Sequence, residues 1–107
     1  MSYDIHLEDG NGCEVYDEVG YPYELNVTYN YQPFFVKAFG TEDGIRSIYG
    51  MSAKESIHVL ESAMGKLGND VDDDYWKPTE GNARKAIAEL LSIAKSASAT
   101  DWVWRGD

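Results

Sequence analysis

Apolar and polar residues alternate at the start of the chain, with Tyr3, Ile5 and Leu7 on one side and Asp4, His6 and Glu8 on the other. That period of two marks a half-buried strand. Asp9-Gly10-Asn11-Gly12 then reads as a tight turn, because Asp-Gly and Asn-Gly tolerate the positive φ angles that hairpins need. Cys13, Val15 and Tyr16 resume an extended segment, so the pattern predicts a hairpin, and Gly20-Tyr21-Pro22 breaks the chain again. Leu25 to Tyr31 is the clearest strand, with Leu25, Val27, Tyr29 and Tyr31 on one face and Asn26, Thr28 and Asn30 on the other. Pro33 ends or bends it, Phe34 to Phe39 reads as a candidate further strand, and Gly40 to Gly44 as a loop.

The second half changes period. Ser52-Ala-Lys-Glu55 is a capping box, in which serine hydroxyl and glutamate carboxylate satisfy backbone donors at a helix start. Ile57, Leu60, Ala63, Met64 and Leu67 follow at helical spacing, with Gly68-Asn69 as the expected stop. A second helix is predicted from about Thr79 or Asn82, with Ala83, Ile87, Leu90, Leu91 and Ala94 along its apolar stripe. In the tail, Trp102 or Trp104 is expected to pin the chain to the body. Strands first and helices second imply one α+β domain over residues 1–107, an N-terminal antiparallel sheet of three to four strands packed against two C-terminal helices.

Composition refines this picture. With 43% hydrophobic residues and fourteen aromatics, the chain can build one core, and its length suits one domain. The net charge of −10 disfavours direct contact with nucleic acid or anionic membrane and favours a basic protein partner. Residues 1–50 hold nine acids against only Lys37 and Arg46. A lone Cys13, no signal-peptide pattern and no apolar run near the ~20 residues that span a bilayer lead to the expectation of a cytoplasmic protein.

Chemistry is sparse. Asp70, Asp72 and Asp74 sit at every second position between two helices, as in a calcium loop, but Tyr75 stands where the sharp turn needs glycine and Gly81 where a bidentate glutamate belongs. The run therefore reads first as an acidic loop ahead of a helix N-terminus, and no cofactor or metal is expected. No phosphate-binding glycine loop or nucleophile elbow occurs, and His6, His58 and Cys13 are too scattered to name a reaction, so no enzyme is expected.

Leu25-Asn-Val-Thr-Tyr-Asn-Tyr31, Gly44-Ile-Arg-Ser-Ile-Tyr-Gly50, Asp73-Asp-Tyr-Trp-Lys-Pro-Thr-Glu-Gly-Asn-Ala83 and the closing Val103-Trp-Arg-Gly-Asp107 resemble a family of small proteins from phages, prophages and bacterial genomes. The resemblance covers most of residues 25–107. It implies a phage or bacterial setting and carries over no catalytic residue.

Two functions are expected from these residues. In the first, the protein blocks a host nucleic-acid-handling or defence protein in an anti-CRISPR-like way, its carboxylates standing in for phosphates. Asp70, Asp72, Asp73, Asp74, Tyr75 and Trp76 form the main contact surface, and Glu8, Asp9, Glu14, Asp17 and Glu18 a second acidic patch. In the alternative, Asn26, Asn30, Tyr31, Arg46 and Tyr49 line a pocket that sequesters a small ligand or nucleotide. The oligomeric state is open, a homodimer included.

Overall fold

The computed structural model describes residues 2–107. Its sheet is built on β1 (Ser2–Glu8), which pairs antiparallel with β2 (Glu24–Thr28) on one side and with β3 (Val103–Gly106) on the other. Tyr3 lies opposite Val27, Ile5 opposite Leu25, and Leu7 opposite Trp104. The alternation in β1 sends Tyr3, Ile5 and Leu7 into the core and leaves Asp4 in solvent. The fold is α+β, and its third strand comes from the C-terminal tail.

The predicted hairpin after β1 is a looser arm, joined by the single bridges Glu8–Glu14 and Tyr16–Pro22. Its turns are organised by aspartates. Asp9 Oδ1 accepts from the N–H groups of Asn11 and Cys13, and Asp17 Oδ1 from those of Val19 and Tyr21.

Two expectations are corrected beyond Thr28. Tyr29–Tyr31 is a 3-10 turn, capped by the Thr28 hydroxyl, which accepts from Asn30 N–H. Gln32–Phe39 is a helix, α1, and not a strand. Pro33 sits in its first turn, where the missing N–H costs nothing, and Gly40 ends it at φ 74°. Phe35 and Ala38 bury on one face, the spacing of a helix.

The helix α2 (Ala53–Met64) starts at Ser52 with both bonds of the capping box formed. It ends at Gly65, about a turn before the expected stop. The long helix α3 (Glu80–Ser96) starts at Thr79, whose hydroxyl accepts from Asn82 N–H. Leu60, Ala63, Ile87, Leu90 and Ala94 bury between these helices and the sheet. Trp104 closes the core from β3, fully buried, its indole N–H donating to Ser56 Oγ on α2 at 2.8 Å. Among the described residues no helix is long and apolar enough to cross a membrane.

Candidate functional site

The segment between α2 and α3 carries the acidic run, and its shape follows from who accepts its backbone N–H groups. Asp72 Oδ1 accepts from Asp74 N–H at 2.8 Å and Asp74 Oδ1 from Trp76 N–H at 3.0 Å, two side-chain turns in succession. Asp70 Oδ1 accepts from Gly81 N–H at 3.1 Å. Buried Asn82 is the hub: its amide donates to the carbonyls of Asp74 and Lys77, and its Oδ1 accepts from Asp72 N–H. Gly81 lets the loop approach, since a Cβ there would lie 2.6 Å from the carbonyl carbon of Asp70 and from the nitrogen of Val71.

A second set of bonds ties the loop to the strand region. Asn30 donates to the Trp76 carbonyl at 2.9 Å, and the Tyr31 hydroxyl donates to the Tyr75 carbonyl. The Tyr75 hydroxyl accepts from Thr28 N–H at 3.0 Å and donates to the Asn26 carbonyl at 3.3 Å. Glu80 accepts from Lys37 on α1 and from Gly68 N–H, both at 2.9 Å. The loop is thus held from the start of α3, from the 3-10 turn and from the end of β2, and Lys37 of α1 braces Glu80 at the start of α3.

These bonds leave the charge largely in place. A carboxylate that accepts an N–H remains anionic, and is stabilised as the anion. Asp72 is held below the ordinary carboxylate range first by Asp74 N–H and then by Lys77, whose Nζ lies 3.3 Å away. Glu80 is held down by Lys37 and by Gly68 N–H. Asp73 is exposed, and no hydrogen bond or ion pair among the described residues engages its side chain. Beside these carboxylates Val71, Tyr75 and Trp76 are exposed, Trp76 by 57%.

The second acidic patch has the same composition. Asp9 and Asp17 are spent on turns, Glu8 pairs with His6 at 2.6 Å, and Glu14 and Glu18 are exposed. Tyr16, Val19 and Tyr21 project beside them, Val19 by 77%. The patches lie at opposite ends of β2, one beyond Tyr23, whose carbonyl accepts from Leu7 N–H, the other against Thr28.

The five residues of the ligand alternative do not converge. Asn26 and Tyr31 line a cleft of ≈ 260 Å³ between β2, the acidic loop and α3. Asn30 holds the loop. Arg46 and Tyr49 belong to another cluster, where Arg46 Nε donates to the main-chain oxygen of Asp107 at 2.7 Å and the guanidinium stands 5.0 Å over the Tyr3 ring. Arg46 is the only strong cation of that set, and it is spent on fixing the tail.

Asp70, Asp72 and Asp74 turn their accepting oxygens to three different backbone segments, and among the described residues no three His, Cys, Asp or Glu side chains cluster as metal ligands. Comparison with protein-family models, curated proteins and solved structures finds no match to this chain. Lys85, Glu89 and Asn82 also line the cleft, and the sequence pattern marks them only as part of the second helix, not as site residues. Thr79-Glu-Gly-Asn82, a capping threonine with glycine two residues on, is the signal that a chain crosses close to this helix start.

Proposed function

We propose that this chain is a non-enzymatic, phage-type protein that binds a basic host protein which handles nucleic acid, and occupies the surface that phosphates would otherwise meet. The observation that carries the reading is the internal fixing of the acidic loop. Asp70, Asp72 and Asp74 are anchored by main-chain N–H groups while, among the described residues, Asp72 alone of the four aspartates has a cation partner, with Tyr75 and Trp76 exposed alongside. A surface ordered before binding loses less entropy on docking, and exposed aromatics are the usual anchors of an interface. The ligand alternative loses its footing because Arg46 and Asn30 already have partners within the fold.

The geometry also selects the variants for a clean test. Asp70, Asp72, Asp74, Asp9 and Asp17 shape loops, so reversing them disturbs structure as well as charge. Asp73→Lys with Glu18→Lys changes charge alone. A panel of purified nucleic-acid-binding defence effectors is assayed for DNA binding with and without the protein. The expected outcome is inhibition that weakens as salt rises and is lost in the double variant. Inhibition indifferent to both salt and charge reversal rejects phosphate mimicry.

A further inference from the structure

β2 is an outer strand, with β1 on one side and, among the described residues, no strand on the other. In its register with β1, alternate residues direct their main-chain groups outward, and Asn26 and Thr28 are such residues. Proteins seldom leave an edge of this kind open, because it templates pairing with another chain. Here the cover is one side chain. The Tyr75 hydroxyl takes the Thr28 N–H and gives its proton to the Asn26 carbonyl, the two bonds that the main chain of an added strand would make. Glu24 and Asn26, further along the edge, are exposed.

The Tyr75 hydroxyl is not among the bonds that hold its loop, and the Tyr75 ring packs edge-on against Tyr31 at 5.7 Å and Trp76 at 5.1 Å. The main chain there is held by Asn30, Tyr31 and Asn82, none of which uses the phenol oxygen. The cleft beside this edge is lined by the apolar Leu25, Val27 and Ala86, and by Asp72, Asp73 and Glu89 against, among the described residues, the single cation Lys85. At either end of β2 lies one of the two acidic and aromatic patches. A second copy of the chain would bring a further net charge of −10 to the same place, so charge selects a basic occupant.

We infer that the β2 edge receives an extended basic segment of the partner protein, which adds as a fourth strand, displaces the Tyr75 hydroxyl and sets lysine or arginine side chains against Asp73 and Glu89. Main-chain bonds supply affinity in such strand addition, and the flanking pockets supply selectivity. The inference rests on the partner-binding reading above and names the segment that reading requires.

The test is a titration of the 15N-labelled full chain, followed by NMR to millimolar peptide, with capped Lys-Val-Lys-Val-Lys as the probe. Two controls are the same peptide N-methylated at every residue, which leaves no main-chain donor on its five residues, and Glu-Val-Glu-Val-Glu. Saturable shifts at residues 24–28 and slowed exchange of the Asn26 amide are expected from the basic peptide, with binding at least about tenfold weaker for each control. Tyr75→Phe keeps the ring and removes the competing hydroxyl, so it should bind the peptide about threefold to tenfold tighter. Absence of binding, shifts scattered over the acidic surface, equal binding of the N-methylated peptide or weaker binding by Tyr75→Phe each overturn the added strand. Those results beside charge-sensitive inhibition of an effector would remove the strand and spare the anionic-surface reading, whereas β2 binding without such inhibition would do the reverse.

Discussion

Gly81 decides whether the acidic loop lies against α3 as described. Gly81→Ala gains helix propensity of up to ~1 kcal/mol, but its Cβ would stand 2.6 Å from main-chain atoms of Asp70 and Val71, which cannot move aside as a side chain can. Overpacking of this kind costs about 1–3 kcal/mol, so the clash wins and the midpoint of a thermal melt should fall by several degrees. An unchanged or higher midpoint would show that the loop does not lie against α3. Tyr49 offers the opposite case. Its hydroxyl is buried and makes no hydrogen bond among the described residues, while its ring packs on the core. Tyr49→Phe removes a polar atom without a partner, and the same melt should show stability unchanged or raised by up to about 1 kcal/mol. A clear loss would mean that the oxygen has a role beyond packing.

Among the elements, those with many periods were legible in the sequence and those made by distant partners were not. The alternation at Tyr3, Ile5 and Leu7 and the stripe of Leu60, Ala63 and Leu67, with Ile57 and Met64 half-buried beside it, each reflect a face turned to the core, which local pattern can show. β3 has only four residues, and its pairing with β1 across the length of the chain makes it a strand. α1 was masked by Pro33, which ends a strand and begins a helix equally well. The acidic run was conspicuous, yet its anchoring was hidden, because Asn82 and Gly81 meet Asp74 and Asp70 only when the loop folds back. The capping box is the element most open to a single test. Ser52→Ala removes the acceptor for Glu55 N–H and leaves the Ser52 main-chain pairing with Val103 untouched. A loss of about 1 kcal/mol in denaturant unfolding is expected, and no loss would mean that tertiary packing alone holds the start of α2.

At the scale of the whole molecule, protons and salt act on charges that folding leaves mostly unneutralised. Glu55, Asp72 and Glu80 are each held low by hydrogen bonds, chiefly from Ser52 N–H, Asp74 N–H and Lys37 respectively. A carboxylate depressed by folding adds stability that is complete above its unfolded value and is lost as pH falls through its folded one, so an acid limb should open below about pH 4. Tyr49 is pushed up to about 12, first by burial and then by the charge of Asp107, with Arg46 opposing. A raised group stabilises below its unfolded value and loses that contribution as pH climbs, which places an alkaline limb between 10.0 and about 12 that Tyr49→Phe should diminish. Salt separates the field of the whole chain from its local pairs. Surface pairs such as Lys37–Glu80 and Lys77–Asp72 contribute little in water, and screening weakens them further. The net charge of −10 acts the other way, because self-repulsion in the compact state is relieved as the Debye length shrinks from ~30 Å at 0.01 M to ~8 Å at 0.15 M. With so few cations available, repulsion should win. The melting midpoint of the free protein should therefore rise by a few degrees over that range, while the affinity for a basic partner falls over the same range. Opposite signs for folding and binding are what an unneutralised anionic surface requires. A midpoint that falls with salt would mean that the internal pairs dominate and that little free negative field is left for a partner to meet.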